Sequence, residues 1–115
     1  MQPKKVLVVN DSRAIHRMFE IMLRQYPLVY ASDGRQALER LDDHQDIDLV
    51  LLDTNMPNMN GAEFMEQIRE RQNRPRVIVV TAQGSGDEPI EGTDDTIALP
   101  FHAEEILSKI DSLPQ

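Results

Sequence analysis

The sequence contains no cysteine. Without thiols there is no disulfide framework, no thiolate zinc site and no cysteine nucleophile, and any chemistry falls to oxygen and nitrogen; a reducing compartment is the matching environment. Positive charge is also scarce. Twelve Lys and Arg stand against twenty Asp and Glu, a formal charge of −8, so a nucleic-acid backbone or an anionic membrane is repelled overall, and cations or basic partners fit better. Long apolar runs are missing too. The first, Val6 to Val9, soon meets Asn10 and Asp11, which is too brief for a signal peptide or a membrane span. The expectation is a cytoplasmic chain with no direct nucleic-acid or membrane partner. Its 115 residues, 40% hydrophobic and 28% charged, have room for one domain, 1–115, that buries roughly two-thirds of its unfolded surface.

Short apolar runs alternate with amphipathic stretches. Val6–Val9, Leu28–Ala31, Leu49–Leu52, Val77–Val80 and Thr96–Leu99 are rich in β-branched residues, the composition of parallel strands buried on both faces. Between them, Ile15, Met18, Phe19, Met22 and Leu23 mark one face of a helix capped by Ser12 or Asp11 and ended by Pro27. Asp33 is placed to cap a second helix carrying Ala37, Leu38 and Leu41, and Asn60 a third carrying Phe64, Met65 and Ile68. The last helix carries Ile106, Leu107, Ile110 and Leu113, with Glu104 and Glu105 in its first turn, where the helix dipole favours negative charge. The pattern fails from Gln83 to Asp95: three glycines, a proline, one large apolar residue and five acids with no base allow at most a turn of helix. That segment reads as a solvated loop, or else as a loop for a basic partner. Repeated strand–helix–strand units with short connections predict an α/β, doubly wound, five-stranded parallel sheet with a degenerate fourth helix.

In such sheets ligands bind beyond the carboxyl ends of the strands. There stand Asn10 and Asp11, Asp53, Thr81 and Pro100. Two carboxylates brought together raise each other's proton affinity unless a cation lies between them. Oxygen donors without His or Cys select a hard cation, and Mg2+, which keeps several waters and takes one or two carboxylates, suits Asp11 and Asp53 best.

Four blocks carry a resemblance: Val6-Leu7-Val8-Val9-Asn10-Asp11-Ser12-Arg13; Leu51-Leu52-Asp53-Thr54-Asn55-Met56-Pro57-Asn58-Met59-Asn60-Gly61; Val79-Val80-Thr81-Ala82; and Leu99-Pro100-Phe101. Together they resemble the receiver domain of two-component response regulators, along the whole chain. The resemblance implies the flavodoxin-like strand order 2-1-3-4-5 and a signalling domain rather than an enzyme, one that at most catalyses its own phosphorylation and dephosphorylation. It implies Asp53 as phosphoacceptor, supplied by a histidine kinase or phosphotransfer protein, with Mg2+ held by Asp11, Asp53 and the backbone carbonyl of Asn55. Thr81 would be the switch hydroxyl, and a downstream protein or an attached output domain the receiver of the signal. A carboxylate is a workable nucleophile toward phosphorus when a metal neutralises the transferring oxygens.

The chain departs from that pattern at three places. Leu99 stands where the family has a lysine, and Asn10 at the first of two acidic positions. One lost charge of each sign leaves the pocket at −2, from Asp11 and Asp53, the sum that three acids and a lysine give, so the replacements read as coupled. Thr96 replaces the switch aromatic, and the stretch from Thr81 to Leu99 is too short for a fourth helix of normal length. These departures support an alternative, a pseudo-receiver that works without phosphorylation as a constitutive protein-interaction module. A phosphatase of the haloacid dehalogenase type would want an acid where Asn55 stands, and a flavodoxin would want an anion cradle in place of Asn10-Asp11-Ser12-Arg13. Arg13 reads as a solvated helix arginine, or else as a cation able to swing toward a phosphoryl oxygen in place of the lysine. His16, His44 and His102 lack partner spacing and read as surface or capping residues. A cis Leu99-Pro100 bond fits the resemblance without being readable from sequence.

Overall fold

The computed structural model describes residues 1–54, 59–82 and 90–114. Its elements follow the chain as β1 (Val6–Val9), α1 (Arg13–Met22), β2 (Leu28–Ala31), α2 (Gly34–Asp43), β3 (Leu49–Asp53), α3 (Gly61–Arg69), β4 (Arg76–Ala82), β5 (Asp95–Leu99) and α4 (Ala103–Ser112). The five strands form one parallel sheet ordered β2-β1-β3-β4-β5, the flavodoxin-like order. Alternation along each strand divides the apolar side chains between two faces. Val6, Val8, Leu49, Leu51, Ile78 and Val80 meet Phe19 of α1 and Ile106 and Ile110 of α4. Leu7, Val9, Val50, Leu52 and Val77 meet Ala37 and Leu41 of α2 and Phe64, Met65 and Ile68 of α3. Both faces of the central strands β1, β3 and β4 are covered, which is why they read as unbroken apolar runs.

Three caps fall where the sequence places them. Ser12 Oγ accepts from Ile15 N at 3.3 Å, Asp33 Oδ1 from Gln36 N at 2.9 Å and Asn60 Oδ1 from Glu63 N at 2.9 Å, each a helix-starting contact worth about 1 kcal/mol. Two boundaries differ from expectation. Helix α1 stops at Met22, with Leu23 as its C-cap (φ −114°, ψ 40°), well before Pro27. The Pro27 carbonyl is needed by Val6 N at 2.9 Å, so the chain is already extended there. Strand β4 runs past Val80 to Ala82 and pairs Thr81 with Ala98, so Thr81 is a strand residue rather than the first loop residue.

Residues 83–89, the larger part of the expected degenerate helix, lie outside the described residues. The described remainder, 90–94, is a turn. Thr93 Oγ1 donates to the Ile90 carbonyl at 2.8 Å, and Gly92 takes φ 89°, a conformation that favours glycine. Ile90 packs against the α2/α3 face, close enough that a Cβ on Gly61 would lie 2.5 Å from its Cδ1. Two of the five acids are not solvated as the sequence suggests. Asp94 pairs with Arg76 at 3.1 Å with its side chain 16% exposed and accepts from Val77 N at 2.8 Å, while Asp95 pairs with Lys109 at 3.2 Å. They stitch β5 to β4 and α4.

Candidate functional site

The register of a parallel sheet decides which residues meet at its carboxyl edge. Val9 lies opposite Leu52, so the next residues along, Asn10 and Asp53, flank one another. Asp53, the last residue of β3, lies opposite Val80, which places Thr81 one step further along β4. Thr81 lies opposite Ala98, so Leu99 and its cis peptide bond to Pro100 complete the rim. Asn10, Asp11, Asp53 and Thr81 therefore share one edge. Asn55 lies outside the described residues.

Asn10 is held on every side. It is 6% exposed. Its N–H donates to Ala31 O of β2 at 3.0 Å, its Oδ1 accepts from Ser12 N at 2.9 Å, and its carbonyl accepts from His16 Nε2 at 2.6 Å. The Oδ1 keeps a second lone pair. Asp11, next in the chain, is exposed, and so is Arg13, the first residue of α1. Asp53 and Thr81 are half-buried, and the Thr81 hydroxyl lies 3.5 Å from the Ala82 carbonyl, a long contact for such a bond. Among the described residues no group of three or more His, Asp or Glu is placed to hold a metal ion. The donor set there is two carboxylates and an amide oxygen, and it fits Mg2+, which retains water and asks for one or two carboxylates; it does not fit a metal that wants nitrogen or sulfur.

Leu99 is half-buried and packs on the α1/α4 core; Thr96 is exposed. His44 and His102 stand at helix caps, as the sequence suggests. His16 does not behave as a surface residue. It is half-buried, donates to the Asn10 carbonyl, and its ring lies 4.9 Å from that of Tyr30. The signal available in the sequence was its position one turn after the Ser12 cap, beside the buried stripe. Burial, and then the nearby Glu20 carboxylate, push the Tyr30 hydroxyl above its ordinary pKa of 10.0. A cleft of about 260 Å³ lined by Leu41, His44, Ile47, Arg71 and Pro75 opens at the opposite edge of the sheet, and among these only His44 and Arg71 bear ionisable groups, so it offers no carboxylate.

Known proteins share this architecture. A model of the response regulator receiver domain matches residues 6–111. The response regulator ArlR of Staphylococcus saprophyticus is 36% identical over 112 residues, covering 92% of this chain and 50% of that protein. The transcriptional regulatory protein CpxR of Escherichia coli is 36% identical over 112 residues, covering 92% of this chain and 47% of its own length. The chain thus spans about half the length of these relatives. The chemotaxis response regulator CheY4 of Vibrio cholerae superposes with a TM-score of 0.83 at 29% identity, covering 96% of this chain and 98% of that one. The receiver domain of the sensor histidine kinase PA1611 from Pseudomonas aeruginosa, solved with a magnesium ion coordinated in its active site cleft, superposes with a TM-score of 0.82 at 28% identity, covering 93% of each chain.

Proposed function

From a chain that belongs to the response regulator receiver domain family, we propose a phosphoacceptor domain that takes a phosphoryl group on Asp53 from a partner histidine kinase or phosphotransfer protein. The signal passes to a downstream protein or an attached output domain, residues 1–115 act as one unit, and the setting is the cytoplasm. No described helix is long and apolar enough to cross a membrane. The observation that carries the reading is the register, Val9 to Leu52 and Asp53 to Val80, which gathers Asn10, Asp11, Asp53 and Thr81 at one sheet edge.

On this reading an Asp53 carboxylate oxygen attacks the phosphorus of a phosphohistidine in line with the departing ring nitrogen, which leaves with the electron pair of the P–N bond. Asp11, Asp53 and the Asn55 carbonyl would hold Mg2+, with the Asn10 amide oxygen beside them; when bound, the ion neutralises the oxygens of the transferring group. Thr81 donates its hydroxyl to a phosphoryl oxygen and moves toward it. Arg13, on the first turn of α1, is the mobile cation that can stand in for the family's lysine, replaced here by Leu99. Domains of this kind signal rather than turn over substrate, and the chemistry goes no further than their own phosphorylation and its reversal.

A second reading has support of its own. Leu99 is half-buried and packs against the core, the described residues between β4 and β5 form a turn rather than a helix, and Thr96 is not aromatic. A pseudo-receiver that binds partners without phosphorylation would carry these features. Intact-mass spectrometry with Mg2+ and a small-molecule phosphodonor separates the two. A phosphate adduct on the parent and none on Asp53→Asn is expected; a labelled Asp53→Asn would refute Asp53 as acceptor. An unlabelled parent that also binds no Mg2+ would refute the phosphoacceptor reading and favour the constitutive module.

A further inference from the structure

We infer that His16 is a positioning residue for the acidic rim, and that it acts by locking the peptide unit that joins Asn10 to Asp11; the inference rests on the proposed metal-holding role of Asp11. A carbonyl oxygen can only accept, so His16 Nε2 carries the hydrogen in the 2.6 Å contact with Asn10 O. That carbonyl belongs to the same planar unit as the Asp11 N–H. Fixing it fixes the plane from which the Asp11 Cα and carboxylate project.

The other bonds to Asn10 do less. Ala31 O holds its N–H, and the Ser12 N–H holds its side chain in a turn that encloses the Asn10–Asp11 peptide and narrows its rotation, but neither bonds that peptide's carbonyl, which His16 fixes directly. His16 is itself held. It lies within α1, its ring rests against Tyr30 of β2 at 4.9 Å, and its N–H donates to Ser12 O at 3.2 Å. With Asn10 at the first acidic position, Asp11 is the one carboxylate on the β1 side of the rim, so its placement weighs directly on cation affinity. Partners that orient a ligand from behind typically change metal affinity 10- to 100-fold when removed.

Two variants separate the hydrogen bond from the ring packing. His16→Phe keeps a ring against Tyr30 and removes the donor; His16→Gln keeps a donor and removes the ring. Calorimetric titration with Mg2+ alone is expected to show about a 10-fold weaker Kd for His16→Phe and a Kd within about threefold of the parent for His16→Gln. In the metal-free protein the order parameter of the Asp11 amide is expected to fall from about 0.85 toward 0.6 in His16→Phe and to hold in His16→Gln. The reverse pattern, or equal affinities in all three proteins, overturns the inference. Should His16→Phe not fold, His16→Gln decides alone, and a 10-fold loss there is the refuting result. A parent whose Mg2+ binding is absent, or indifferent to Asp11→Asn, sinks the metal reading and this inference together; a parent that needs Asp11 but ignores His16 sinks this inference only.

Discussion

Gly61 and Ile90 offer the sharpest test of how the described turn before β5 packs on the start of α3. A Cβ added at Gly61 would lie 2.5 Å from Ile90 Cδ1 and 3.8 Å from Leu52 Cδ2. Carbon atoms in contact prefer about 3.5–4.0 Å, so Ile90 has to retreat by about an ångström or change rotamer. Overpacking of this kind costs about 1–3 kcal/mol, against which the better helix propensity of alanine returns at most about 0.5–1 kcal/mol, the helix-interior value, because Gly61 is the first residue of α3. Gly61→Ala should therefore destabilise by about 1 kcal/mol, a fall in Tm of about 4 °C for a domain of this size. Ile90→Val removes the clashing methyl and alone should cost about 0.5–1.5 kcal/mol. In that background Gly61→Ala should become neutral or stabilising, a coupling of about 1–2 kcal/mol between the sites. Urea unfolding of the four proteins, with the slope checked for constancy, measures it. Additivity within about 0.5 kcal/mol, or a parent that gains stability from Gly61→Ala, would show that Ile90 does not seat on α3 as described.

Two further expectations concern protons and charge. Tyr30 is pushed above 10.0 by burial and then by Glu20, so its neutral form is favoured in the folded state; that contribution is fully present below pH 10.0 and lost as pH rises through the folded value. The urea midpoint should drop on the alkaline side more steeply in the parent than in Tyr30→Phe. The phenolate absorbance lost in that variant should have its midpoint above pH 10.0, and one at or below it refutes the shift. At the rim, Leu99→Lys alone takes the formal pocket charge to −1 and Asn10→Asp alone to −3, whereas the pair restores −2. Phosphate labelling should therefore recover more in the double variant than the single changes sum to, and additive effects reject the coupling.

The centre of the sheet was legible in the sequence because β1, β3 and β4 are buried on both faces and so spell unbroken apolar runs, as Leu49–Leu52 and Val77–Val80 do, whereas the edge strands β2 and β5 are only partly buried. Caps were legible because Ser12, Asp33 and Asn60 act over three residues, a distance that sequence displays. Contacts that depend on where distant segments arrive were not. Asp94 and Asp95 read as solvated charge, but β5 brings them to Arg76 and Lys109. Ile90 sits in a glycine-rich stretch, and nothing nearby in the chain predicts that Gly61 awaits it.

The same division runs through the site. That Asn10, Asp11, Asp53 and Thr81 share one edge was legible because a parallel sheet carries the ends of its strands to one side, so strand assignment alone brings them together. His16 is invisible to that logic, since its partner is a backbone carbonyl, which every residue has, and only the crossing of α1 over the end of β1 brings the two within 2.6 Å. Leu99 falls between these cases. Its departure from the family pattern is plain in the sequence, but its consequence depends on packing, because a half-buried leucine among apolar neighbours is a fixed part of the fold. A lysine at 99 would have to thread its stem through that contact to bring its charge into water, so the two functional readings differ at a residue whose side chain also supports the core.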